Sequence, residues 1–379
     1  MIPDKPLTIL FVRRGYSQTG GAEAYLKRLA RRVLDAGHNA QLVTTKDWPQ
    51  NEWPFGTLHR VPCQSAIAFA NELEQARPRI PCDVLMSLER VWNCDVYRAG
   101  DGVHRAWLNR RQNLTSPFSN FFRRFNLKHN HILRLEESLL RDRRAGRVIV
   151  NSQMVKSEIL ALYSYPAEKI DIVRNGVPVS EFREAAAGRE QCRAAFALAA
   201  DEIAVLFAGS GWERKGLRFA INAIEACPDS KLRLFVAGRG NRGRYKSSRA
   251  QFLGTVVDLP RVYAAADIFI LPTIYDPFSN ACLEALACGL PVITTRDNGF
   301  SEIIEDGVHG SIVDCANDIG GLRDAIRFWS DPARRAVVRS TNMQRAAQFD
   351  ISKNVARTLE ILVQAAASAA STSGKIRNT

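Results

Sequence analysis

The stretch Asp276-Pro277-Phe278-Ser279-Asn280-Ala281-Cys282-Leu283-Glu284 runs directly into Ala285-Leu286-Ala287-Cys288-Gly289-Leu290-Pro291-Val292. Ahead of it, the apolar run Ile268 to Pro272 reads as a buried strand. Asn280 to Cys288 reads as a helix that is apolar on nearly every side, ended by Gly289, and Pro291 opens the strand Val292 to Thr295. The unit is strand, loop, helix, strand, with a polar loop at the carboxyl end of the first strand, where ligands bind in open α/β sheets. The helix start carries free backbone N–H groups and the positive end of the helix dipole, which suits a phosphate. Asp276 stands at this mouth and Glu284 about two turns further on, so a group bound there would meet both. Taken alone, the pair is equally a turn aspartate and a glutamate that caps or salt-bridges a buried helix.

Outward from this unit the rhythm repeats. Strands are predicted at Ile203 to Ala208 and Leu232 to Ala237, with helices near Gly216 to Cys227 and Leu259 to Ala266. After Asp318 the pattern turns helical: Gly320 to Ser330, Pro332 to Gln348, and a last stretch near Ser352 to Ala370. The first half has the same character. A strand from Leu7 to Val12, a Gly20-Gly21 loop and a helix from about Ala22 to Asp35 lead to strands near Ala40 to Thr44, Asp83 to Leu88, Asp95 to Ala99 and Arg147 to Asn151. A helix near Gln153 to Leu162 and the segment Ile170 to Val173 close it. Val173-Arg174-Asn175-Gly176-Val177-Pro178 lets neither regular structure continue. The fold class is α/β, two Rossmann-like doubly wound domains: 1–175, 176–350, then a helix over 351–370 and a small polar tail, 371–379, expected to be disordered.

With 379 residues and 46% hydrophobic side chains, the chain can fill two cores. No apolar run reaches the roughly 18 residues that span a bilayer, and Met1-Ile2-Pro3-Asp4-Lys5 passes straight into a strand without a signal-peptide core. The expectation is a cytoplasmic protein, soluble or peripheral on a membrane. Eight cysteines lie scattered without a C-x-x-C pair, which argues for reduced core thiols over zinc or disulfides. Net charge is +13, and residues 1–176 hold 27 Lys/Arg against 17 Asp/Glu. Within that half, residues 105–147 interleave 11 basic and three acidic residues with Trp107, Phe118, Phe121, Phe122 and Phe125. Such a segment suits an anionic membrane surface, nucleic acid, or simply a solvated helix face over a few core aromatics.

Three further groups carry chemistry. Gly209-Ser210-Gly211-Trp212-Glu213-Arg214-Lys215-Gly216 runs from a strand into a helix through two cations. It lacks the P-loop arrangement, and positive charge at a helix start opposes the dipole unless an anion binds there. Arg214 offers a fork and Lys215 a point charge to a diphosphate. Gly20 and Gly21, between strand and helix, permit close approach of a phosphate or sugar. Asp101 and His104, an acid and an imidazole three apart, follow a strand, and either side chain would accept a proton from a bound hydroxyl; they read equally as a loop cap and a surface histidine.

The string from Asp276 resembles the E-x7-E signature of retaining glycosyltransferases of the two-domain GT-B fold, family 4, in which L-E-A-x-A-x-G-x-P-V follows. The resemblance implies two domains facing across a cleft and a final helix that crosses back to the first. It places the donor hexose on Asp276, aspartate here standing for the usual glutamate, and the nucleotide ribose on Glu284, with Phe278, Ser279 and Asn280 at the helix mouth. Val173 to Pro178 resembles the family's N-G-V hinge. The family's usual diphosphate arginine falls on Ser210, while Arg214 sits beside Lys215, a variant similar to the lipopolysaccharide core glucosyltransferase I branch. In that branch Asp101 resembles the acceptor-side aspartate, and His104 the cleft histidine of the family.

No two aspartates are separated by a single residue, so the D-x-D metal-nucleotide motif is absent. The resemblance therefore implies a transferase without metal or other cofactor. It would move a hexose, glucose foremost, from a UDP-sugar to a heptose of lipopolysaccharide inner core or a related envelope glycolipid. Residues 105–147 would dock on the anionic inner membrane, and no nucleic acid is expected. The alternatives are a UDP-sugar 2-epimerase of the same fold and a non-catalytic nucleotide-sugar or nucleic-acid binder.

Overall fold

The computed structural model describes residues 5–18, 20–63, 65–113 and 127–376. The chain divides into two units, residues 1–173 with 353–379, and residues 174–352. Each is a parallel sheet with helices.

The first unit contains β1 (Thr8–Val12), α1 (Gly21–Asp35), β2 (Asn39–Thr44), β3 (Gly56–Arg60), α2 (Ala66–Ala76), β4 (Val84–Ser87), β5 (Cys94–Arg98), α3 (His104–Asn113), α4 (Leu127–Leu140), β6 (Ala145–Val150), α5 (Gln153–Tyr163) and β7 (Ile170–Ile172). The strand order is β3-β2-β1-β4-β5-β6-β7, and every pairing is parallel. Order reverses between β1 and β4, so the loops after these two strands open a crevice at their carboxyl ends. Ile9 to Val12 and Val84 to Met86 are fully buried, as strands covered on both faces must be.

The second unit contains α6 (Val179–Ala187), α7 (Arg189–Ala195), β8 (Ile203–Ala208), α8 (Leu217–Glu225), β9 (Leu232–Ala237), β10 (Ala250–Gly254), α9 (Leu259–Ala265), β11 (Ile268–Leu271), α10 (Asn280–Ala287), β12 (Val292–Thr295), β13 (Gly310–Val313), α11 (Ile319–Trp329) and α12 (Pro332–Ala347). The order β10-β9-β8-β11-β12-β13 is again parallel throughout and reverses between β8 and β11. The unit that opened the sequence reading is thus β11, loop, α10, β12, beside that reversal.

The predicted boundary near 175 is pinned on its own side. The Val177 amide donates to the Phe349 carbonyl at 3.2 Å, and the Ile351 amide to the Val177 carbonyl at 3.1 Å. Both chain crossings between the units therefore leave the second one side by side. A Cβ on Gly176 would stand 2.7 Å from the Ile351 Cα, so only glycine fits.

The last helix, α13 (Ile351–Ile376), starts in the second unit and continues in the first. Its buried positions Val355, Thr358, Leu359, Leu362 and Ala366 recur at helical spacing, and the Thr358 hydroxyl lies 3.1 Å from that of Tyr25 on α1. The helix runs six residues past the expected end at 370, through Ser371-Thr372-Ser373-Gly374 to Ile376. Of the tail taken as disordered, residues 371–376 are helical, and 377–379 lie outside the described residues. So do residues 114–126 of the basic, aromatic segment, including its four phenylalanines.

Candidate active site

In the second unit, the loops after β8 and β11 meet at the reversal of strand order. The first turns on three glycines with positive φ, Gly209 (+139°), Gly211 (+74°) and Gly216 (+77°). Gly216 caps α8, and a Cβ there would lie 1.8 Å from the Pro272 carbonyl oxygen, so the two loops touch backbone to backbone. Main-chain bonds join them further: the Arg214 carbonyl accepts from the Ile274 amide at 2.9 Å and from the Thr273 hydroxyl at 3.0 Å. Trp212 is buried, donates its indole N–H to the Gly209 carbonyl at 3.0 Å, and packs edge-on to Tyr245. The cations are therefore carried on a fixed loop.

Lys215 lies across Gly209, whose absent Cβ would be 2.7 Å from the lysine Cδ. Its Nζ ends 3.2 Å from Asp276 Oδ2. The lysine that the sequence assigns to a diphosphate and the aspartate it assigns to a sugar are thus partners, which relieves the unfavourable cation at a helix start. Arg214 donates to the Tyr275 carbonyl, a long bond of 3.3 Å. Asp276 is 5% exposed and its backbone is stitched to the next loop, its amide to the Asp297 carbonyl at 3.0 Å and its carbonyl to the Gly299 amide at 2.9 Å.

Ser279 caps α10, its hydroxyl accepting from the Cys282 amide, and its own amide donates to Asn298 Oδ1 at 3.2 Å. Asn298 is completely buried; it also accepts from the Phe300 amide at 3.1 Å and donates to the Thr294 hydroxyl at 2.9 Å. Asn175 reaches the same mouth, donating to the Phe278 carbonyl at 3.1 Å and Asn280 Oδ1 at 2.9 Å. Phe278 itself is buried against Phe300. Its side chain belongs to the core, and what it presents at the mouth is backbone.

Since α10 begins at Asn280, Glu284 stands about one turn inside the helix, not two. In α10 the positions that are not buried are Asn280, Ala281 and Glu284, which share one stripe at helical spacing. Tyr263, fully buried on α9, donates to Glu284 Oε2 at 2.8 Å. Burial and that carboxylate raise the phenol far above its ordinary value, so the tyrosine stays a donor. Cys282 faces the core, where burial pushes its thiol up to about 12, in keeping with cysteines that carry no chemistry.

In the first unit, Gly20 and Gly21 open α1 as expected, but the space over Gly20 is taken by the protein. A Cβ there would sit 1.8 Å from Glu23 Oε2. Glu23 folds back to pair with Arg13 at 2.9 Å, and Arg13 pairs with Glu89, from the loop after β4, at 2.8 Å. This bridge spans the crevice between β1 and β4. Burial raises the Glu89 carboxyl despite Arg13.

Asp101 is exposed on the turn after β5, while His104 is the first residue of α3 and half-buried. The His104 Nε2 lies 3.0 Å from Nδ1 of His129 on α4. Burial, with Arg90 adding to it, lowers the imidazole to about 4, so the ring is neutral at ordinary pH. Sequence reasoning missed Asn298, Glu136, Arg90 and the Glu23–Arg13–Glu89 bridge. An Asn-Gly pair reads as an ordinary turn, and a charged side chain buried by long-range pairing leaves no local pattern. Among the described residues no group of three or more His, Cys, Asp or Glu is placed to hold a metal ion.

Two families match in succession, Glycosyltransferase Family 4 over residues 19–181 and Glycosyl transferases group 1 over residues 202–330. A Burkholderia thailandensis protein named as a probable transglycosylase is 31% identical over 362 residues, covering 92% of this chain and 94% of its own. D-inositol 3-phosphate glycosyltransferases of Catenulispora acidiphila and Mycolicibacterium smegmatis are 30% and 29% identical, and the chain spans about half the length of these relatives, 57% and 51%. The fold is shared with the crystal structure of WaaG, a glycosyltransferase involved in lipopolysaccharide biosynthesis (TM-score 0.79, 20% identity, 93% of this chain and 99% of that one). It is shared also with Anabaena HepE in complex with UDP and glucose (TM-score 0.72, 19% identity, 94% and 99%). The chain belongs to the GT-B glycosyltransferases that join a Family 4 domain to a group 1 domain.

Proposed function

We propose that this glycosyltransferase retains configuration and moves a hexose, glucose foremost, from a UDP-sugar to a heptose of the lipopolysaccharide inner core. The observation that carries the donor half is the Lys215–Asp276 pair at 3.2 Å, set where strand order reverses and beside the mouth of α10. A donor diphosphate would draw Lys215 toward itself and release Asp276 to a sugar hydroxyl, while Glu284, already held by Tyr263, would take the ribose. HepE bound to UDP and glucose supports the choice of nucleotide. Arg214, Lys215 and the free amides of α10 would meet the leaving charge without a metal. The acceptor hydroxyl oxygen would bond to the anomeric carbon on the face from which the diphosphate leaves, and its proton would pass to a phosphate oxygen.

The heptose acceptor rests on the likeness to WaaG and on the basic segment 105–147, proposed to meet the anionic cytoplasmic face of the inner membrane. No helix among the described residues is long and apolar enough to cross a membrane. A second acceptor class, a soluble inositol phosphate, is favoured by the names of several relatives. The test is a screen of nucleotide sugars for diphosphate release in EDTA, with deacylated inner-core oligosaccharide, with inositol 3-phosphate, or with neither. Release that needs the oligosaccharide, survives EDTA and is lost in Lys215→Ala supports the proposal. Release that needs inositol phosphate replaces the acceptor, and epimerised sugar without any acceptor replaces the reaction.

A further inference from the structure

Glu136, on α4, is 1% exposed, and neither the donor nor the acceptor reading uses it. Its Oε2 accepts from the His104 backbone N–H at 2.6 Å and from Arg90 Nε at 2.9 Å. Its Oε1 accepts from the Arg105 backbone N–H at 3.1 Å and from the Tyr163 hydroxyl at 2.6 Å. Burial alone would raise this carboxyl; Arg90, Tyr163 and the two amides together outweigh burial and hold it below its ordinary value. A buried carboxylate persists only when its lone pairs are met, and these donors come from α3, from α5 and from the loop after β4.

An ordinary helix cap comes from the residue just before the helix, usually Ser, Thr, Asp or Asn. Val103 stands there, and the cap of α3 comes instead from a glutamate 32 residues away. The same carboxylate holds Arg90, which donates to the Gly102 carbonyl at 2.6 Å. The same helix supplies His129 to the His104 ring. One clamp therefore fixes the turn that carries Asp101, the first amides of α3, and the His104 imidazole.

We propose that Glu136, working through Arg90, is the positioning residue that sets His104 and the Asp101–Gly102 turn for the acceptor. This rests on the reading of Asp101 and His104 as acceptor-side groups. In Glu136→Gln the amide NH₂ would point a donor at donors, and the first turn of α3 would loosen. The charged and titratable groups facing His104 are Arg90, Glu136, His129 and Asp101. Removing the Glu136 charge by itself pushes the His104 pKa lower still, whereas a displaced, hydrated ring returns toward the ordinary histidine value. The direction of the shift therefore separates positioning from electrostatics.

The experiment follows His104 by NMR of histidine-labelled protein and measures transfer from UDP-glucose in Glu136→Gln, Tyr163→Phe and wild type. The expected result for Glu136→Gln is a rise of the His104 titration from about 4 toward 6.5, with kcat at least tenfold lower and KM for UDP-glucose within twofold. Tyr163→Phe, which leaves both α3 amides bonded, keeps kcat within threefold. A His104 titration in Glu136→Gln that stays put or falls overturns the proposal, as does an unchanged kcat. Should Glu136→Gln not fold, Arg90→Lys loses the fork to Gly102 and must move His104 in the same direction. If wild type transfers no sugar from any donor, the functional reading fails while the titration still judges the clamp.

Discussion

Lys215 is the residue on which the proposed donor site turns, because its ammonium pairs with Asp276 at 3.2 Å at the mouth where a diphosphate is proposed to bind. Removing it leaves Asp276 without its ion pair and a diphosphate without a point charge. Lys215→Ala should lower kcat/KM by about 10²- to 10³-fold, the range for losing one preorganised electrostatic contact, with the far-UV circular dichroism unchanged. Gly209 tests the same point from behind. At φ +139°, with the lysine chain lying on it, Gly209→Ala meets both a strained backbone and Lys215 Cδ at 2.7 Å. Its stability should fall by about 1–3 kcal/mol in urea unfolding, and UDP binding should weaken without any change of charge. His104 makes a pH prediction. Its folded value of about 4 lies below the ordinary 6.5, so between those limits the unfolded chain binds more protons. Its contribution to stability is whole above pH 6.5, is lost as pH falls toward 4, and changes no further below. His104→Asn should flatten that part of the wild-type curve of urea midpoint against pH, and an equal slope in both proteins would refute it.

At the scale of elements, α10 depends on contacts outside itself. Ser279 caps it, while Asn298 ties the Ser279 amide, the Phe300 amide and the Thr294 hydroxyl into one buried knot. Asn298→Ala orphans the two amides, while the Thr294 hydroxyl keeps its bond to the Leu271 carbonyl at 2.9 Å, and should cost about 1–3 kcal/mol, read as a lower urea midpoint. Ser279→Ala should cost about 1 kcal/mol. The elements that were legible in the sequence are those whose pattern is local. Ile203 to Ala208 and Ile268 to Leu271 are continuous apolar runs, and the helix after Asp276 has its stop glycine. The strands that escaped reading are β3, β10 and β13, at the sheet edges, where Gly56-Thr57-Leu58-His59-Arg60 shows no apolar run and buries none of its residues. Helices α2, α4, α6 and α7 likewise lie between strands in stretches of mixed polarity. For the site, the motif residues were legible one by one, but the pairing of Lys215 with Asp276 was not, since 61 residues separate them and only the strand order brings their loops together. Gly20 was legible as a close approach, though the group approaching it is Glu23.

On the scale of the whole molecule, the two units have separate sheets and cores, and Arg214, Lys215, Asp276 and Glu284, the residues proposed to meet the donor in the second unit, lie apart in sequence from those proposed for the acceptor in the first. Ligand binding stabilises the part that binds: UDP at about 100 times its Kd adds roughly 2.7 kcal/mol to the unit that holds it and nothing to one that does not. Calorimetric unfolding should therefore show two transitions, of which UDP raises one. Lys215→Ala should abolish that rise, while Glu136→Gln, confined to the first unit, should lower the other transition and leave the UDP shift intact. The helix α13 starts in the second unit, and its buried residues Ile361 and Leu362 belong with the first. Thr358→Val, which breaks the contact to Tyr25, should then lower the transition that UDP does not move. If UDP raises a single cooperative transition instead, the units unfold as one body, and the stability of α13 is shared between them.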